Sequence, residues 1–97
     1  MIEGETALVT GAAGGMGFEI VTRLLDIPHI TPIYAIDINP AVLTKFSRYP
    51  NVIAIQADVR SRGQIDKVFE RIALGSPRLG LVVNAAGEIF APRISCS

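Results

Sequence analysis

Tryptophan is missing from this sequence, cysteine and histidine occur once each, and neither sign of charge prevails. A single cysteine, Cys96, excludes an internal disulfide, and a reducing cytoplasmic setting is the default expectation. The one histidine, His29, lies in a connector between Pro28 and Pro32, where it reads as surface rather than as a catalytic base. Nine basic residues cancel nine acidic ones without forming a basic stripe. That balance argues against nucleic acid as a partner. No apolar run approaches the roughly 20 residues that span a bilayer, so no membrane association is expected. Residues 1–10 carry Glu3 and Glu5 but no Lys or Arg, unlike a secretory or mitochondrial targeting segment. Internal repeats and low-complexity tracts are also lacking, and no residue is assigned to a metal.

What remains is a short, apolar chain. Its 97 residues allow one domain, 49% of them are hydrophobic, and mean hydropathy is positive. Strand-like and helix-like segments alternate. Residues 7–9 read as a buried strand, and residues 16–26 as a helix with Phe18, Val21, Leu24 and Leu25 at helical spacing. After the connector at 28–32, residues 33–36 form a second strand ending at Asp37. Asn39 followed by Pro40 is a helix start, because Asn caps and Pro suits the first turn. The short helix runs over 40–47. A third strand at 52–57 ends at Asp58. Ser61 and Gln64 have capping-box spacing, and Ile65, Val68, Phe69 and Ile72 then mark an apolar helical stripe. The segment 75–77 stops that helix. A fourth strand at 79–83 runs into Asn84-Ala85-Ala86-Gly87, and the last ten residues show no convincing periodicity.

The order is βαβαβαβ. Continuous apolar strands joined by helices imply a parallel sheet covered on both faces. Right-handed crossovers then give an α/β, Rossmann-type three-layer fold with strand order 3-2-1-4. Ligands bind such sheets at the carboxyl ends of the strands, where the order reverses. That point falls between the first and fourth strands. It gathers the glycine-rich turn, Asp37, Asp58 and the Asn84-Ala85-Ala86-Gly87 segment.

The turn is Thr10-Gly11-Ala12-Ala13-Gly14-Gly15-Met16-Gly17, directly between the first strand and first helix. Such a tight turn needs residues without Cβ, both for its backbone angles and for close approach to a ligand. The helix behind it aims free N–H groups and the positive end of its dipole outward, which suits a pyrophosphate.

Thr10-Gly11-x-x-x-Gly15-x-Gly17, Asp37, Asp58-Val59 and Asn84-Ala85-Ala86-Gly87 together resemble the short-chain dehydrogenase/reductase family, over nearly the whole chain. The last motif is similar to that family's Asn-Asn-Ala-Gly, with Ala85 in place of the second Asn. The resemblance implies that residues 1–97 are an incomplete NAD(P)-binding Rossmann domain, the N-terminal cofactor-binding half truncated before the catalytic half, of an oxidoreductase that moves a hydride between a secondary alcohol or ketone and NAD. It implies that Gly11 makes the turn, Gly15 admits the pyrophosphate and Gly17 lets helix pack on strand. Thr10 would tie the loop to neighbouring backbone, and Met16 would stand near the nicotinamide half. Asp58 would accept from the adenine amino group with Val59 beside the ring. Asn84, Ala85, Ala86 and Gly87 would flank the ribose. Asp37 would accept the adenosine ribose hydroxyls. A 2′-phosphate beside Asp37 would meet a repulsion of about 4 kcal/mol per pair of unit charges at an effective dielectric near 20. No base stands at Ala12, Ala13, Ile38 or Asn39, so NAD is favoured over NADP. Lys45 and Arg60 are the nearest charges that would offset that preference.

The family's catalytic Tyr-x-x-x-Lys is absent: Tyr34 is followed four residues on by Ile38, and Tyr49 by Ile53. No catalytic residue is assigned, and the chain alone is expected to be inactive. The alternative is a non-catalytic module that holds an adenine dinucleotide or pairs with a full-length relative. An epimerase of the extended branch fits the Asn84–Gly87 segment less well. The fourth strand is expected to present a bare outer edge through which chains could associate, unless residues 88–97, which make no strong strand, fold back over it.

Overall fold

The computed structural model describes residues 5–75, 79–85 and 88–90. Its elements are β1 (Glu5–Thr10), α1 (Gly15–Leu24), β2 (Ile30–Asp37), α2 (Ala41–Lys45), β3 (Val52–Gln56), α3 (Arg62–Gly75), β4 (Leu79–Asn84) and β5 (Glu88–Phe90). The sheet order is β3-β2-β1-β4-β5. The first four strands pair in parallel, as the alternation of strand and helix requires, and β5 is antiparallel to β4.

Both sheet faces are covered. Successive strand side chains point to opposite faces. Ala7 and Val9 of β1 therefore join Val21, Leu24, Val42 and Phe46 of α1 and the α2 region in one cluster. Leu8 joins Tyr34, Ile36, Val68 and Ile72 in the other, under α3. Phe18, Phe46 and Tyr49 form an aromatic group on the α1–α2 face, with ring centroids 5.3, 6.0 and 6.3 Å apart. Phe69 departs from the predicted stripe. It is 45% exposed, and Val68, Ile72 and the partly buried Ile65 carry the α3 contact instead.

β2 begins earlier than the sequence indicates, inside the predicted connector. Proline lacks the ladder donor and normally ends a strand, unless a bulge takes it up. Here the β1–β2 register shifts: Glu5 pairs with Ile30 and Ala7 with Ile33. Thr31 and Pro32 thus stand opposite Thr6 alone, a bulge that spares Pro32 a ladder bond.

The outer edge of β4 is covered over residues 82–84, by the fold-back the sequence leaves open. Glu88–Phe90 turns back along it, with Val82 opposite Phe90, Val83 opposite Ile89 and Asn84 opposite Glu88. Association through an open β4 edge is therefore withdrawn over 82–84. Three residues are too few for period-two alternation to be legible, yet an antiparallel return needs only a short connection.

Candidate functional site

Gly11 alone among the described residues has a positive φ, 69°. It reverses the chain at the end of β1. The three amides that follow are all bonded. Ala12 N–H donates to Ile36 O at 3.1 Å, Gly14 N–H to Gly11 O at 3.3 Å, and Ala13 N–H to Asp37 Oδ2 at 2.8 Å. Helix α1 starts from Gly14, which has no side chain to cap with. The amides of its first turn thus face outward beside an exposed Gly15. A Cβ built on Gly15 would meet nothing within 4 Å. Gly17 is the opposite case: a Cβ there would lie 2.1 Å from Gly11 O and 2.7 Å from Ala12 Cα. One glycine leaves space in front of the loop, and the other lets helix and loop touch behind it.

Asp37 ends β2 next to this loop. Besides Ala13 N–H, its carboxylate accepts Asn39 N–H on Oδ1 at 2.9 Å. Asn39 Oδ1 in turn accepts Ala41 N–H at 2.9 Å in the turn leading into α2; the helix starts one residue later than the sequence indicates, with Pro40 at its N-cap and no side-chain cap bond. Each carboxylate oxygen has two acceptor sites, so Asp37 keeps capacity for further donors. Lys45, on the last turn of α2, donates from Nζ to Ala13 O at 2.6 Å.

Asp58 follows β3. Arg60 supplies it with a backbone N–H at 2.9 Å and Nε at 3.2 Å, both on Oδ1. Those hydrogen bonds, the backbone one foremost, hold the Asp58 carboxyl below its ordinary value. The predicted capping box is redirected. Ser61 Oγ accepts Gln64 N–H at 3.4 Å, but Gln64 Oε1 reaches past Ser61 to accept Asp58 N–H at 2.8 Å. Asp58 O already engages Ser61 N–H at 3.0 Å, so the box's usual second donor is occupied.

On the β4 side, Thr10 Oγ1 lies 3.4 Å from Val83 O and 3.3 Å from Asn84 Oδ1. Its single proton serves one acceptor at a time. Ala85 N–H donates to Thr10 O at 3.0 Å, continuing the β1–β4 ladder. Ala86 and Gly87 lie outside the described residues.

A cleft of about 220 Å³ joins these strand ends, lined by Thr10, Gly11, Asp37, Ile38, Ala57, Asp58, Val59, Arg60 and Asn84. It contains six of the residues predicted from sequence, and Gly15, Met16, Gly17 and Ala85 lie outside its walls. Ile38, Ala57 and Arg60 are additions. Ile38 and Val59 are 56% and 43% exposed and add apolar surface to the cleft lining. Met16 is 64% exposed at the start of α1. A second cleft of about 210 Å³, between β3 and α3, includes Gln64, Lys67 and Arg71. It lies away from the glycine loop and the strand-order reversal, so the first cleft is the candidate site.

The chain belongs to the short chain dehydrogenase family, whose family model matches residues 5–95. It is 37% identical over 93 residues to the 2,3-dihydro-2,3-dihydroxybenzoate dehydrogenase of Bacillus subtilis, covering 91% of this chain and 35% of that protein. A Brucella melitensis 3-ketoacyl-(acyl-carrier-protein) reductase complexed with NADH superposes with a TM-score of 0.72 at 21% identity, over 82% of this chain and 33% of that one. A Leptospira borgpetersenii short chain dehydrogenase with bound NAD+ gives 0.66 at 24%, over 86% and 31%. The last two likenesses concern the fold. The chain thus spans about a third of the length of each of these three proteins. No helix among the described residues is long and apolar enough to cross a membrane.

Proposed function

We propose that residues 1–97 form the cofactor-binding part of a short-chain oxidoreductase and bind NAD in preference to NADP. The observation that carries this reading is the placement of Asp37. Its carboxylate is fixed by the main chain of the glycine loop and of Asn39, and it lines the same cleft as Asp58. Fixed at that point, with acceptor sites to spare, it suits paired ribose hydroxyls. A 2′-phosphate would bring like charges together at a cost of about 4 kcal/mol at 4 Å and an effective dielectric near 20.

The residues present fit a dinucleotide in other respects. The open space at Gly15 and the uncapped first turn of α1 suit a pyrophosphate. The 220 Å³ cleft lies below the roughly 300–1,000 Å³ of pockets that enclose drug-sized ligands. It therefore suits the adenosine portion rather than a whole dinucleotide. Asp58 and Val59 would take the adenine, the former by exchanging its Arg60 donor for an amino group. Asn84, Ala85, Ala86 and Gly87 would border the ribose, Thr10 would tie the loop to neighbouring backbone, and Met16 would stand near the nicotinamide half. When bound, NAD supplies a hydride acceptor, and the parent reaction would be reversible hydride transfer with a secondary alcohol or ketone.

This chain's own tyrosines support no catalytic part in that reaction. Tyr34 is 1% exposed in the α3-side cluster, and Tyr49 packs on Phe18 and Phe46. That favours a binding role for the chain taken alone. Calorimetric titration tests the reading: NAD is expected to bind at least about tenfold more tightly than NADP, a gap of roughly 1.4 kcal/mol. Equal affinities, unchanged by Asp37→Ala, would remove the cofactor assignment. Oxidation of alcohols by the purified chain with NAD would overturn the non-catalytic part.

A further inference from the structure

The glycine loop is held from outside by two side chains that meet on one residue. Asp37 accepts the Ala13 N–H, and Lys45 donates to the Ala13 carbonyl at 2.6 Å. These groups belong to consecutive peptide planes. Peptide planes are rigid and trans, so fixing the Ala13 carbonyl also fixes the direction of the Gly14 N–H beyond it. That N–H closes the turn onto Gly11 O, and Gly14 is the residue from which α1 departs. Lys45 thereby sets how the chain enters the helix whose first-turn amides face the opening. Its position is itself anchored, since Nζ also stands 5.7 Å from the centroid of the Phe18 ring. Phe18 belongs to α1, so one ammonium group bridges α2, the loop and the helix behind the loop.

We propose that Lys45 is a positioning residue for the phosphate-binding loop. It acts through the Ala13 carbonyl rather than by touching a nucleotide base or ribose. The proposal rests on the nucleotide reading given above. It assigns a role in binding to α2, an element otherwise without one. A hydrogen bond from an ammonium to a carbonyl is charge-assisted and stronger than a neutral one. Its loss should be felt where phosphate meets the loop, while the adenosine pocket around Asp58 and Val59 is left alone.

The test compares ADP with adenosine on the whole chain, by nuclear magnetic resonance titration of wild type, Lys45→Met and Lys45→Arg. Methionine keeps an unbranched stem against Phe18 but removes the charge and the donors. The Lys45→Met variant is expected to weaken ADP about tenfold, as for loss of one charge-assisted hydrogen bond, and adenosine less than about twofold. Lys45→Arg should restore ADP binding to within about threefold of wild type. Faster amide exchange at Gly14 should accompany the loss in Lys45→Met. Equal weakening of both ligands would mark a merely structural lysine and overturn the proposal, as would unchanged ADP affinity. If Lys45→Met does not fold, Lys45→Gln is judged by the same criteria. A wild-type chain that binds neither ADP nor NAD removes the nucleotide reading and this proposal together. A wild type that binds, with no ligand difference in the variant, removes the proposal alone.

Discussion

Two aspartates stand at the ends of neighbouring strands; each accepts the backbone N–H two residues on, and they differ in their second donor. Asp37 takes its hydrogen bonds from main-chain amides of Ala13 and Asn39. Asp58 takes its bonds from the residue two places on, and one donor is the Arg60 side chain, which is 82% exposed. Main-chain amides inside a packed loop cannot leave, whereas an exposed guanidinium can. An exposed ion pair of this kind contributes little to stability. Asp37 is thus part of the scaffold, and on the proposed reading it would be a fixed recognition point as well. Asp58 is an exchangeable acceptor, able to release one donor and take another.

Several changes would break or sharpen that contrast. The largest effect is expected at Gly17, on which the loop beside Asp37 rests. Gly17→Ala would push a methyl to 2.1 Å from Gly11 O, with backbone on both sides unable to yield. A loss of about 1–3 kcal/mol or more is expected from overpacking, read by chemical denaturation, together with loss of NAD binding. Asp37→Ala comes next. It strips partners from the Ala13 and Asn39 amides, for about 1–3 kcal/mol of stability where the amide is buried. In titration it should also abolish the preference for NAD over NADP. If Asp37→Ala leaves stability untouched, its scaffold role is wrong even where its binding role stands.

Asp58→Asn should cost far less stability while still weakening NAD. The pH dependence carries the sign. The folded Asp58 carboxyl lies below its ordinary value of 3.8 because Arg60 donates to it. Its contribution is therefore present above that value and lost as pH falls through the lower, folded one. The stability gap between wild type and Asp58→Asn should close on acidification across that window, and a gap that widened there would refute the assignment. Smallest of all is Arg60→Ala. It removes only the exchangeable side-chain donor, so thermal stability should barely move, while the Asp58 titration shifts up toward the ordinary value.

Much of this arrangement is legible in the chain itself. The glycines at 11, 15 and 17, the acids after two strands and the order βαβαβαβ all follow from local spacing, because turns and strand ends are local devices. What escaped depends on distance. The antiparallel return at Glu88–Phe90 is three residues long and draws its pairing from β4. The early start of β2 relies on a bulge opposite Thr6 that only the β1 register reveals. Gln64 sits at capping-box spacing, but its partner is chosen by what Asp58 O already holds. Lys45 is visible as a nearby charge, yet nothing in its neighbours Thr44 and Phe46 announces a bond to a carbonyl 32 positions earlier in the chain.

The absence of room behind Gly17 has a thermodynamic meaning. With loop and helix backbone so close at Gly17, the turn would have few slack conformations to give up on binding the pyrophosphate of the proposed reading. Little ordering entropy is then charged against binding, and preorganisation of this kind raises affinity without adding a single contact.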